Sequence, residues 1–177
     1  TNSQHSEVLT NAMAGMSNGL PVFVTDSSSL DSTDNSNLKE KLISVEGLDE
    51  RFTMIVVNKA ETADLSLTNF KRESFRNKIM NQAVPRELYA QGIYYVSSIL
   101  GLGAKLKGQL EGEFYSEQFD TYREKYSNPE TKYYKKLYEF DILPRQMSST
   151  VRATAEKSSD LIYANSGLLT IEDTIKT

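Results

Sequence analysis

Apolar residues follow two rhythms along this chain. Three short runs are almost continuously apolar: residues 20–25 (Leu-Pro-Val-Phe-Val-Thr), 52–57 (Phe-Thr-Met-Ile-Val-Val) and 93–97 (Ile-Tyr-Tyr-Val-Ser). Runs of this length, rich in β-branched and aromatic residues, predict strands, and the second predicts one buried on both faces. Pro21 is tolerable because it stands near the start of its run. The other rhythm is helical. Val8, Leu9, Met13 and Met16 recur at helical spacing and predict a short helix from about Ser6. Further helices are expected over 37–44 and 67–82. In the second, Phe70, Phe75 and Ile79 face inward, and Lys71, Arg72, Arg76 and Lys78 face water. Ser66 or Thr68 caps it, and Pro85 closes it.

The texture changes after Gly103, where Lys, Glu and Tyr dominate and the strand rhythm stops. Helices are expected over 116–126, 129–140 and 144–164, with a last one starting at Thr170 and Asp173. Asn128-Pro129 makes a good cap and first-turn pair. Asn165-Ser166-Gly167 makes a good stop. Strands alternating with helices predict an α/β unit with a partial parallel sheet and right-handed crossovers. We divide the chain into an α/β unit over 1–112 and a helical extension over 113–177 that packs on it.

Each predicted strand turns polar at its carboxyl end: Asp26, then Asn58-Lys59, then Ser97-Ser98. In a parallel sheet these three clusters fall on one edge. Open α/β sheets bind ligands in the crevice outside the carboxyl ends of their strands. The expected site is therefore a rim centred on Asn58 and Lys59.

Composition narrows the chemistry. The 177 residues are 38% hydrophobic, enough for a true core. A net charge of -4 and a pI near 5.2 argue against a general nucleic-acid binder. The absence of cysteine excludes disulfides, thiolate metal sites and Cys nucleophiles, and fits a reducing, cytoplasmic setting. No apolar run approaches the roughly 18 residues of a membrane span, and no signal-peptide pattern opens the chain. Asp31, Asp34 and Asn35 lack the order of a calcium-binding EF-hand loop, so a plain βα loop is expected there, with no metal site. All ten tyrosines lie from Tyr89 onward, and in residues 132–138 (Lys-Tyr-Tyr-Lys-Lys-Leu-Tyr) they alternate with lysine. Such a segment could stack on nucleic acid or lie on a membrane. Amphipathic side chains on a half-buried helix explain it more simply.

An Asn-Lys pair after a buried strand has a specific mechanical use. The Asn amide can bridge a nucleobase to neighbouring backbone. The Lys stem can lie across the base plane while its ammonium stays wet. An acid two positions later, here Glu61, can accept the ring N–H and exocyclic amine of guanine. The loop at Ser97-Ser98 can offer a backbone N–H to the guanine O6.

These segments resemble the two guanine-reading motifs of P-loop GTPases, Asn-Lys-x-Asp and Ser-Ala-(Lys/Leu). The opening Thr1-Asn2-Ser3-Gln4-His5-Ser6-Glu7 is similar to the stretch after the Asp-x-Pro-Gly motif of dynamin-like GTPases. Residues 137–144 (Leu-Tyr-Glu-Phe-Asp-Ile-Leu-Pro) and 162–168 (Ile-Tyr-Ala-Asn-Ser-Gly-Leu) resemble the region after the sheet in bacterial members. The resemblance implies that Asn58, Lys59, Glu61, Ser97 and Ser98 bind GTP or GDP. It also implies a GTP-hydrolysing parent that acts at a membrane as a peripheral protein.

Two residues depart from the pattern. Glu61 replaces Asp, and its extra methylene is expected to push the carboxylate outward; Asp64 stands a helical turn late as a substitute. Ile99 replaces the Lys of the second motif. No G-x-x-x-x-G-K-[ST] occurs, and the stretch 101–108 fails as a phosphate loop, with Leu106 in place of a third Gly and Gln109-Leu110 after Gly108. The phosphate-binding and Mg²⁺-binding parts would precede residue 1, which is not Met. The expectation is the carboxyl-terminal part of a GTPase domain, holding base-reading but no catalytic residues and inactive alone. His5 is expected to be a solvated loop residue. The alternative is a nucleotide-free interaction module with a degenerate GTPase fold. A sheet without its first strands would expose an edge and an apolar face, which predicts self-association or pairing with an amino-terminal half.

Overall fold

Side chains of the central strand are apolar on both faces, and the structure buries both. In the computed structural model, residues 11, 22–26, 54–62, 92–128, 130, 153, 157 and 161–176 are described. Three strands, β1 (Val22–Asp26), β2 (Met54–Asn58) and β3 (Ile93–Tyr95), form a parallel sheet in that order. Val22 stands opposite Met54, Asp26 opposite Asn58, and Val57 opposite Tyr95. The protein is thus α/β in character, with helices packed on a small parallel sheet.

Residues Met54, Val56, Tyr94 and Val96 project to one face and form a core cluster with Ile171, against which Leu168 packs. Ile55, Val57, Ile93 and Tyr95 alternate with them and are equally buried. Burial on both faces is why β2 and β3 read as unbroken apolar runs. By register, Val22 and Val24 of β1 share the face of Met54 and Val56, yet both are exposed, Val24 by 60%.

Four helices are described. They are α1 (Ser98–Lys105), α2 (Glu113–Ser127), α3 (Leu161–Asn165) and α4 (Leu168–Lys176). Gly167 separates the last two at φ +80°, the left-handed conformation that ends a helix cheaply only at glycine. That is the stop expected at residues 165–167. The turn is closed by Ser166, whose Oγ donates to the Tyr163 carbonyl at 2.6 Å and accepts from the Leu168 N–H at 3.2 Å.

The sequence reading needs seven corrections. β2 runs one residue further than expected, to Asn58, and β1 to Asp26, because each extra residue is held by ladder pairing. β3 stops at Tyr95, since Ser97 turns to cap a helix. That helix, α1, was not expected at all. α2 starts three residues early, at Glu113, and α4 two residues early, at Leu168. Lys157 lies in a turn, so no single helix runs from 144 to 164. Asn11 is helical, within the helix expected from Ser6. The helices expected over 37–44, 67–82 and 129–140 lie outside the described residues, apart from a turn residue at Glu130. So do the calcium-like loop and the Lys/Tyr segment.

Two glycines explain where α1 sits. A Cβ on Gly103 would stand 2.2 Å from Cδ2 of Phe119, a buried α2 ring lying flush on the α1 backbone. A Cβ on Gly101 would stand 2.8 Å from Cδ2 of Leu168 in α4. Helical propensity disfavours glycine by about 1 kcal/mol. Here the loss is offset by two close helix contacts that alanine would block.

A polar cluster fastens the far end of α1. Lys105 bonds the Glu172 carboxylate of α4, the Tyr163 hydroxyl donates to its other oxygen, and the Lys105 ammonium lies 5.3 Å from the Tyr163 ring centre. Burial by itself would raise the Glu172 pKa. The hydrogen bonds from Lys105 and Tyr163, with the charges of Lys105 and Lys176, outweigh it and hold the pKa below the ordinary glutamate value.

Two outcomes follow from this packing. Gly103→Ala is expected to cost about 1–3 kcal/mol in urea unfolding, the usual range for overpacking. Gly101→Ala costs less, because its nearest contacts, Leu168 Cδ2 at 2.8 Å, Ser166 Oγ at 3.0 Å and Leu168 Cβ at 3.1 Å, are looser than those to the Phe119 ring. A folded pKa below the unfolded one means that Glu172 adds stability above the unfolded value and loses it as pH falls through the folded value. The wild-type urea midpoint should therefore fall more steeply below the ordinary glutamate range than that of Glu172→Gln.

Candidate functional site

Strand register brings the carboxyl ends of the strands to one rim. Asp26 and Asn58 are paired at the carboxyl ends of β1 and β2. The chain leaving β3 stays in register for one more residue, with the Val96 N–H donating to the Val57 carbonyl and the Ala60 N–H to the Val96 carbonyl, at 3.0 and 3.1 Å. Ser97 and Ser98 therefore arrive beside Asn58.

A side-chain bond then joins the two loops. The Ser98 N–H donates to Asn58 Oδ1 at 3.0 Å, across 40 residues of sequence. The next residue, Lys59, has φ +56°, an uncommon value for a side chain with a Cβ. Its carbonyl accepts both the Thr62 N–H at 3.0 Å and the Thr62 hydroxyl at 2.8 Å, which holds the strained turn in place. The Lys59 side chain is mostly in solvent, with its ammonium 3.9 Å from Asp26 Oδ2. An ion pair so exposed contributes little to stability.

Glu61 departs from expectation. It lies on a 3₁₀ turn (Ala60–Thr62) and is only 6% exposed. The carboxylate is drawn into the wall and is not pushed outward. Among the described residues, its buried Oε2 has no hydrogen-bond partner. Tyr126 of α2 holds the turn from behind, its hydroxyl donating to the Glu61 carbonyl at 3.4 Å. A carboxylate oxygen kept from water without a donor is costly. Asp64 lies outside the described residues, as does His5.

The two serines part company. Ser97 is fully buried as the N-cap of α1, its Oγ accepting from the Leu100 N–H at 3.4 Å. Its own N–H donates to the Ser166 carbonyl at 2.8 Å. Ser98 is exposed, with its N–H committed to Asn58. Neither serine amide is thus left for a ligand. The remaining amide of that first turn belongs to Ile99.

Asn58, Lys59, Glu61, Ser98 and Ile99 line one open cleft of about 860 Å³. That volume suits a small-molecule site. The cleft continues past the rim between α1 and α2, where its wall turns apolar at Leu102, Leu106 and Phe114. Sequence reasoning missed this wall because it depends on α1. Among the described residues, no helix is long and apolar enough to cross a membrane. No three or more His, Asp or Glu side chains gather there as a metal site.

No family model matches the chain, and neither a curated protein nor a solved structure matches it.

Asn58→Ala removes the acceptor for the Ser98 amide. The bond is solvent-facing and its loss is expected to cost about 1 kcal/mol. Native-state hydrogen exchange should register it as faster exchange at Ser98, by about fivefold, with the β2 amides unchanged.

Proposed function

We propose that this chain is the guanine-nucleotide-binding part of a dynamin-like GTPase, carrying the base-reading rim and none of the phosphate-binding or Mg²⁺-binding groups. The observation that carries this reading is the Asn58–Ser98 hydrogen bond. It links the Asn-Lys loop to the loop after the next strand at the mouth of one cleft, as a two-motif base site requires. Lys59 supplies an exposed stem for one face of a planar base. Glu61 lines the same cleft, and its carboxylate, whose buried Oε2 has no partner among the described residues, turns from the wall toward the cleft to accept the paired N–H donors of guanine. The Ile99 amide takes the role of donor to O6, because the Ser98 amide is already used. Ser97 acts through α1, as its cap.

Phosphoryl transfer depends on phosphate-cradling and metal-holding groups. With base recognition alone, this chain binds nucleotide weakly and does not hydrolyse it; the intact parent binds GTP with Mg²⁺ and hydrolyses it. A nucleotide-free interaction module is the second reading, and the apolar wall between α1 and α2 favours it.

The test is binding of fluorescent GDP to the polypeptide extended at its amino end, with GTP, ATP and XTP as competitors. GTP should compete, and ATP and XTP should not. Asn58→Ala should weaken binding at least about tenfold, a loss of about 1.4 kcal/mol. A folded extended protein that binds no nucleotide rejects the base-reading role.

A further inference from the structure

The turn that carries Glu61 is held through its backbone. The Ala60 N–H donates to the Val96 carbonyl at 3.1 Å, which ties the turn to the chain leaving β3. Thr62 closes the turn on the Lys59 carbonyl through its N–H and its hydroxyl. Tyr126 ties it to α2, its hydroxyl donating to the Glu61 carbonyl at 3.4 Å across 65 residues of sequence. Of these bonds, the one from Tyr126 is made to Glu61 itself. Tyr126 is buried, so that hydroxyl is carried by a packed ring. None of the three bonds reaches the Glu61 carboxylate, whose buried Oε2 has no partner among the described residues.

Guanine offers a ring N–H and an exocyclic amine side by side. Accepting both takes both carboxylate oxygens in line at once, and paired bonds of this kind are exacting in angle. Accepting one takes a single oxygen and tolerates drift. A glutamate has one more rotatable bond than an aspartate, so it has more freedom to lose when it is aligned. The backbone from which it swings must be fixed all the more closely for the pair to form.

We infer that Tyr126 is a positioning residue for guanine selectivity. Its hydroxyl fixes the Glu61 carbonyl, and with it the point from which the carboxylate turns into the cleft that Glu61 lines. Tyr126 is not among the residues that line the cleft, so it acts through Glu61. This role rests on the base-reading site proposed above, and extends it to a residue near the end of α2.

The test uses GMP and IMP, which differ only by the exocyclic amine. Each is titrated into the full 177-residue chain and followed by amide shifts in two-dimensional NMR. The wild-type chain should bind GMP more tightly than IMP. Tyr126→Phe keeps the buried ring and removes the hydroxyl, and an unchanged amide spectrum away from the turn certifies its fold. It should cut the GMP-over-IMP preference by about fivefold, the worth of one net hydrogen bond, and leave IMP binding unchanged. Glu61→Gln should also lose the preference, and adding Tyr126→Phe to it should change nothing further. An undiminished preference in Tyr126→Phe overturns the role. So does an equal loss of GMP and IMP binding, which marks the hydroxyl as a fold contact only. An effect of Tyr126→Phe that persists beside Glu61→Gln overturns it too, because the hydroxyl then acts by another route. A folded wild-type chain that binds neither nucleotide, or both equally, rejects base reading by Glu61, and the role of Tyr126 falls with it. A wild-type preference that Tyr126→Phe retains rejects the role of Tyr126 alone.

Discussion

The place of Ser98 at the rim depends on how closely α1 lies against its neighbours. Gly103 lets the Phe119 ring of α2 rest on the α1 backbone, and Gly101 lets Leu168 of α4 do the same on another face. The helix is wedged from two sides, and its first residue is Ser98. Placing Ser98 to within a hydrogen bond of Asn58 is therefore a matter of helix packing, and the sheet does not achieve it alone. The Ser97 amide adds a third restraint by bonding the Ser166 carbonyl in the turn between α3 and α4. Residues far apart in sequence thus fix one loop.

The rim combines groups that stabilise the fold with groups that do not. Asn58 is committed to holding two loops together, and Ser97 is committed to capping α1. Lys59 and Glu61 are different. The first occupies an uncommon backbone conformation, and the second keeps a carboxylate oxygen from water without a donor. Local costs of this kind concentrate at functional sites, where a ligand relieves them. The Tyr126 contact that holds the Glu61 turn comes from α2, so the helix that walls the cleft also supports the rim.

The strands were legible because burial on both faces leaves an unmistakable apolar run. The rim was legible because parallel strands put their carboxyl ends on one edge. α1 was not legible. Its sequence, Ser-Ile-Leu-Gly-Leu-Gly-Ala-Lys, carries two glycines, which weaken helical propensity and suggest a loop. Their purpose, close approach to Phe119 and Leu168, is visible only in three dimensions. The burial of Glu61 was hidden for the same reason, since it depends on Tyr126, 65 residues away. The extra methylene of Glu61 was read as reach toward solvent, whereas the 3₁₀ turn directs that length into the wall. The two serines looked equivalent as neighbours, but an N-cap uses only the first.

The core cluster on the α4 side of the sheet also governs the order in which this segment acquires structure. Met54, Val56, Tyr94 and Val96 find their cover in Ile171 and Leu168 of α4. Each strand pairs only with partners dozens of residues away, and such distant pairing is slow because chain entropy must be lost before any contact forms. Among the described residues only α4 covers this face, so a growing chain lacks that cover until α4 emerges. Vectorial synthesis thus leaves the newest helix to close the oldest core. During that interval the exposed face is a target for chaperones or for unwanted pairing with neighbouring chains.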